Sequence, residues 1–216
     1  LHRDAAKNPP DPQYGQPAQV RAPMLDTLDA LHTLLGPEQP ECLAGLAELR
    51  TWEARAFTAL EPVFAQRRAA GQVRECHGDL HLGNIAYVDG RPVPFDGIEF
   101  SAELRWIDVM SEAAFLVMDL LEHRLDAGAW RFLNAYLETT GDYQGLRVLN
   151  YYMVYRALVR AKVTLIRGHQ PGGGESSRDA LEGEYFRYVS LAERIARPRQ
   201  PSLVVMHGLA GSGKTT

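Results

Sequence analysis

Apolar residues recur with a helical period along most of this chain, but the period breaks at residue 73 and returns only at about residue 108. Before the break, Leu25, Leu28, Leu31, Leu34 and Leu35 predict a helix over 20–35, stopped by Gly36 and Pro37. Leu43, Leu46, Leu49, Trp52, Phe57, Leu60 and Phe64 predict a second over 42–70, kinked or split by Pro62. After the break the period marks helices at about 108–125, 127–140 and 144–167, a flexible loop at 168–177, and another helix to about 196. Between the two helical regimes the apolar runs are too short for helices. Residues 85–88 and 92–95 flank Asp89-Gly90, the dipeptide of a two-residue hairpin turn. The expected fold is therefore α+β: a mostly helical lobe wrapped around one loop and one hairpin.

Composition narrows the functional classes. A chain of 216 residues that is 45% apolar can bury a sizeable core without disulfides. Its two cysteines, Cys42 and Cys76, stand far apart with no CxxC spacing, which fits a reducing, cytoplasmic setting. The net charge of −4 offers no basic footprint for nucleic acid and is compatible with a basic small-molecule partner. No apolar run approaches the roughly 20 residues of a membrane span, and no signal peptide opens the chain. Residues 1–19, rich in Pro, Gln, Asn and Asp, read as a loop or ordered surface arm. The chain starts at Leu1 rather than Met and stops at Thr216 inside a motif, so a segment of a longer polypeptide is expected.

The interruption itself carries the chemistry. Residues 77–84 read His-Gly-Asp-Leu-His-Leu-Gly-Asn, and a further acid, Asp96, follows the hairpin in Pro94-Phe95-Asp96-Gly97. Phosphoryl transfer from a nucleotide needs such a set. One carboxylate orients the attacking hydroxyl and accepts its proton, while an amide oxygen and a second carboxylate hold Mg²⁺ against the phosphates. The loop supplies Asp79 and Asn84, and the hairpin returns Asp96 to them. Because this reaction is mostly positioning and charge neutralisation, few other side chains are required. A rival set, His77, Asp79 and His81, has metal-ligand spacing for Zn²⁺ or Mn²⁺, but no further His or Cys cluster completes it. His81 is expected instead as a packed or hydrogen-bonding loop residue.

His77-Gly-Asp79-x₄-Asn84 followed by Phe95-Asp96 resembles the catalytic loop and metal site of the aminoglycoside phosphotransferases, small-molecule kinases with a protein-kinase-like fold. The resemblance runs from Glu75 to about Lys162 and includes Ile98-Glu99-Phe100 and Tyr155-Arg156-Ala157-Leu158. It implies Asp79 as catalytic base, Asn84 and Asp96 as Mg²⁺ ligands, ATP as donor and a small-molecule hydroxyl as acceptor. His77 would be a structural loop residue, and Asp108 would be the acid that braces the loop. Gly78 stands where protein kinases carry Arg, and Asp96-Gly97-Ile98 replaces their Asp-Phe-Gly, so the small-molecule branch is favoured. The family's β-rich N-terminal lobe, with its phosphate-pairing lysine, has no counterpart before His77, where the only lysine is Lys7. That lobe is expected elsewhere in the same polypeptide, and the segment without it is expected to be a poor enzyme.

A second phosphate motif closes the chain. Gly208-Leu-Ala-Gly211-Ser212-Gly213-Lys214-Thr215 fits a P-loop and follows the apolar run 203–206. Residues 1–197 thus read as the C-terminal lobe, 198–201 as a linker, and 202–216 as the first strand and loop of an α/β P-loop domain, with Lys214 on the β/γ-phosphates and Thr215 on Mg²⁺. The resemblance is nearest to the bifunctional subgroup in which such a domain follows the kinase-like one.

Other residues leave two readings open. Glu99 is a candidate contact for a substrate amine or hydroxyl, or a salt-bridge partner beside the loop. Arg156, Arg160 and Arg167 share a helix face and are expected to be solvated, with substrate or phosphate contact as the other reading. Tyr151, Tyr152, Tyr155, Trp106 and Trp130 are expected in the core. The whole unit is either an enzyme or a non-catalytic kinase-like module that serves the P-loop domain. The intact set of Asp79, Asn84 and Asp96 favours the enzyme, although one fold hosts many acceptors and the substrate is not legible.

Overall fold

The computed structural model describes residues 2, 4–7, 9, 11–169 and 175–197. The expected linker and the P-loop, including Gly208, Gly211, Ser212, Gly213, Lys214 and Thr215, lie outside the described residues.

Among the described residues, seven α-helices and four short strands follow in the order α1 (Pro17–Leu35), α2 (Pro40–Ala69), β1 (Val73–Glu75), β2 (Ile85–Val88), β3 (Arg91–Pro94), α3 (Ala102–Arg105), β4 (Trp106–Asp108), α4 (Val109–Glu122), α5 (Asp126–Thr140), α6 (Leu146–Gly168) and α7 (Glu175–Ala196). The architecture is α+β and mostly helical. Among the described residues no helix is long and apolar enough to cross a membrane.

α6 is the central pillar, packing against α7, α4, α1 and α2. The reason is in its sequence: Tyr151, Tyr152, Met153, Val154, Ala157, Leu158 and Ala161 clothe nearly its whole circumference with apolar surface, and all are buried. Phe64 of α2 meets the Tyr151 and Tyr152 rings at centroid distances of 5.2 and 5.7 Å. Each such fully buried aromatic or aliphatic side chain contributes roughly 1.5–3 kcal/mol. Pro62 stands inside α2 without dividing it, since the helix continues to Ala69. Trp130, expected in the core, is instead 39% exposed on the outer face of α5.

The strands form two antiparallel pairs. β1 pairs with β4 in the register Val73↔Asp108, Arg74↔Ile107 and Glu75↔Trp106. At three residues each, these strands are too short to show a period in sequence. β2 and β3 form the hairpin, with Ile85↔Pro94 and Val88↔Arg91 as its end rungs. Asp89 and Gly90 both take positive φ, 48° and 77°, as the tight primed turn between twisted strands requires. The N–H of Phe95 donates to the Asn84 carbonyl at 3.0 Å, so the ladder runs one rung past the strands. Counting back from that bonded rung puts Pro92 and Pro94 on non-bonded rungs, where the missing N–H would face outward.

One buried ion cluster locks this centre to the helices. Arg67, near the end of α2, donates to both oxygens of Asp108 (2.7 and 2.8 Å) and both of Asp142 (2.7 and 2.7 Å). All three side chains are buried. Asp108 also caps α4 by accepting the Met110 N–H at 2.8 Å.

Candidate active site

The segment from Cys76 to Asn84 leaves β1, turns back on itself and enters β2. Gly78 makes the turn possible. Its φ is +86°, and a Cβ there would lie 2.8 Å from the Leu104 carbonyl oxygen, so no larger residue fits. The loop is then held almost entirely through its own backbone by buried side chains. Glu112 of α4, fully buried, accepts the Gly78 N–H at 2.7 Å. Two turns further along the same helix, Asp119 accepts the Leu82 N–H at 2.9 Å. Arg156 of α6 donates to the Gly78 carbonyl at 3.2 Å.

The histidines of the motif are committed to this scaffold. His77 accepts the Asp79 N–H at Nδ1 (3.3 Å) and donates from Nε2 to the Phe95 carbonyl (2.8 Å), which ties the loop to the strand leading to Asp96. His81 accepts the Gly83 N–H at Nδ1 (3.1 Å), packs on the Phe115 ring, and turns Nε2 toward Asp79 Oδ2 at 3.5 Å. His77 and His81 therefore serve as loop fasteners, and both ring nitrogens of His77 already face backbone groups.

Asp79 and Asn84 are in contact, and Asp96 follows the hairpin residue whose backbone pairs with Asn84. The Asn84 amide nitrogen donates to the Asp79 carbonyl and to Asp79 Oδ2, each at 3.0 Å. Among the described residues nothing donates to the Asn84 amide oxygen. Asp96 is next to Phe95, whose N–H rests on the Asn84 carbonyl, and Ile98 N–H donates to the His77 carbonyl at 2.9 Å. Asp96 is thus anchored on both sides to the loop. It takes φ +59°, a left-handed conformation that few residues other than glycine adopt, and its exposed carboxylate has no partner among the described residues. Two oxygen-bearing side chains with free oxygens, one of them an acid, suit a hard cation such as Mg²⁺. The carboxyl of Asp79 is held below the usual carboxylate range, chiefly by the His81 imidazole, with Arg156 and Asn84 adding to the effect against the opposing cost of burial.

Two expectations about supporting residues are corrected. Asp108 makes no hydrogen bond to the loop, because both its oxygens face Arg67 and it caps α4; Glu112 and Asp119 hold the loop instead. Arg156 is not solvated but 6% exposed, sandwiched between the Phe115 and Tyr155 rings at 4.7 and 5.2 Å. Glu99 is exposed beside Asp96 and forms no ion pair among the described residues. The signal for the two missed acids lay in α4: Glu112 and Asp119 are seven apart in an otherwise apolar run, hence on one face.

Behind the loop, His2 extends the scaffold to the start of the chain. It donates from Nε2 to Glu112 at 2.5 Å, while Tyr136 faces its Nδ1 at 2.9 Å. Cys76 brings its sulfur near this pair, and the ligand-type atoms of His2, Cys76 and Glu112 lie within 4.8 Å of one another. Burial pushes the Cys76 thiol well above its usual range, and it donates to the Ile107 carbonyl at 3.7 Å.

No family model matches the chain, and no solved structure does. Uncharacterized proteins of Mycobacterium tuberculosis and Mycobacterium bovis are 37% identical to it over 157 residues, 72% of this chain and 30% of theirs. The chain thus spans about 30% of the length of the curated relatives it matches.

Proposed function

We propose that the chain carries the acceptor-activating site of an ATP- and Mg²⁺-dependent phosphotransferase that phosphorylates a hydroxyl on a small molecule, in the manner of the aminoglycoside phosphotransferases. The observation that carries this reading is the joining of Asp79, Asn84 and Asp96 by a loop and hairpin 18 positions long. Asp79 is the base: its carboxylate is ionised at neutral pH and half-exposed, able to accept the proton of an incoming hydroxyl. Asn84 holds that carboxylate through its amide nitrogen and leaves its oxygen for the metal, with Asp96 as the second ligand. When bound, Mg²⁺ supplies charge neutralisation for the nucleotide phosphates. Glu99, exposed three positions after Asp96, is the candidate contact for an amine or hydroxyl of the acceptor.

The nucleotide clamp and a downstream P-loop domain are proposed as parts of the same polypeptide. The free thiols Cys42 and Cys76 support a reducing, cytoplasmic setting.

The test is ADP release from Mg²⁺·ATP by the intact protein, with a panel of hydroxylated metabolites and aminoglycosides. Asp79→Asn is expected to lower the substrate-stimulated rate at least about 100-fold while leaving the melting temperature unchanged. Stimulated release that survives Asp79→Asn but is lost in Lys214→Ala would overturn the proposal and assign the chemistry to the P-loop.

A further inference from the structure

Gly78 is gripped on both of its peptide faces, and the two grips come from different helices. Its N–H is taken by Glu112 of α4 at 2.7 Å, and its carbonyl receives Nη1 of Arg156 from α6 at 3.2 Å. The peptide that carries this carbonyl also carries the Asp79 N–H, so the orientation of that peptide sets the direction in which Asp79 leaves the backbone. With φ at +86° and no side chain, Gly78 has no conformational preference to hold the peptide in place on its own.

Arg156 adds a constraint at that carbonyl, beside the 3.3 Å bond by which the Asp79 N–H of the same peptide reaches His77 Nδ1. Its second nitrogen, Nη2, donates to Ser111 Oγ at 3.2 Å, while the Phe115 and Tyr155 rings cover the guanidinium. No acid pairs with it among the described residues. A buried arginine whose charge-assisted bonds run to a backbone carbonyl and a serine is poorly explained as a stabilising ion pair, since its desolvation is repaid by no opposite charge in contact. Its geometry is that of a planar fork spanning a helix and the loop.

We propose that Arg156 is a positioning residue for the reaction, fixing the Gly78–Asp79 peptide so that the Asp79 carboxylate points at the acceptor. This rests on the reading of Asp79 as the base. Glu112 holds the preceding peptide through the Gly78 N–H and the Asp79 N–H keeps only a 3.3 Å bond to His77, so removing Arg156 leaves the loop attached but loosens the Gly78–Asp79 peptide. Misplacement of that size costs catalysis more than binding.

The experiment compares the intact parent protein with Arg156→Met, Arg156→Lys and a control, Arg21→Met, whose partner Glu53 lies on α2 away from the loop. Two readouts are taken: kcat and KM for ADP release from Mg²⁺·ATP, and amide hydrogen exchange over residues 78–84. Arg156→Met is expected to lower kcat by roughly 30–100-fold, shift KM for ATP less than about threefold, and speed exchange at 78–84 selectively. Arg156→Lys, which keeps the charge but not the fork, is expected to recover only part of kcat. Unchanged exchange at 78–84 in a folded Arg156→Met, or a kcat within threefold of the parent, overturns the inference. If the parent releases no ADP, the exchange readout alone decides it, and the phosphotransferase reading fails separately. If Arg156→Met does not fold, Arg156→Lys and Ser111→Ala carry the same comparison, and parent-like exchange in both overturns the inference.

Discussion

A single atom separates Gly78 from alanine, yet that atom would meet the Leu104 carbonyl oxygen at 2.8 Å on a backbone already left-handed. Gly78→Ala is therefore expected to destabilise the protein by about 1–3 kcal/mol, read as a lower urea midpoint at unchanged slope. His81 acts at the same scale through charge. Asp79 is held low chiefly by His81, so its carboxylate persists below the ordinary carboxylate range and is lost only as pH falls through that depressed value. His81→Gln removes the main cause, so the acid limb of ADP release should move to higher pH. An acid limb unmoved by the substitution would count against His81 as that cause. Of these residues the motif marked Asp79, Asn84 and Asp96 by type and spacing, and the family resemblance marked His77. Glu112, Asp119 and Arg156 act on the loop backbone from 34 or more positions away, and His2 backs Glu112 from the first residues of the chain; beyond the seven-residue spacing of the two α4 acids, no local pattern links them to the loop.

Among the elements, α2 and α4 carry the most tension between local preference and tertiary need. α2 tolerates Pro62 because its packing against α1 and α6 outweighs the loss of one helical hydrogen bond. α4 carries buried acids on an apolar helix because each has a designated donor: Gly78 and His2 for Glu112, Leu82 and Tyr188 for Asp119, Arg187 for Glu122. Arg67 is the cross-element counterpart. Arg67→Met would leave Asp108 and Asp142 buried and facing each other without a cation, a loss of about 3–5 kcal/mol measurable by denaturant unfolding. The sequence period located α1, α2 and α4–α7 to within a few residues, since each buries a broad apolar face. It could not find β1 and β4, whose pairing is decided by the loop and helices that bring them together. Nor did it foresee that Asp108, placed by resemblance at the loop, would be drawn to Arg67, which lies 41 positions earlier.

For the molecule as a whole, the core is unusually rich in tyrosine. Tyr136, Tyr151, Tyr152, Tyr155, Tyr185 and Tyr188 are each pushed above the ordinary phenol range, with burial the leading cause. The native state keeps these protons when the unfolded chain releases them. Their contribution is therefore whole below about pH 10 and declines above it, by up to about 1.4 kcal/mol per pH unit for each hydroxyl. Stability is expected to fall steeply at alkaline pH, with these phenols ionising in one step as the fold is lost. Absorbance at 295 nm followed alongside circular dichroism tests this, and phenol ionisation of the six ahead of unfolding would contradict it. At the same scale, the hairpin beside Asp96 presents exposed Tyr87, Val88, Val93 and Phe95, with Phe100 close by in sequence. Along the outer edge of β3, Pro92 and Pro94 offer no amide hydrogen to a visitor. An extended peptide laid along that edge would meet the Pro92 and Pro94 carbonyls but no donor at those positions, so a continued ribbon would forgo half of its bonds there. That loss shifts recognition at this rim toward the shape and ring faces of its side chains, a mode that favours compact molecules over unfolded chains.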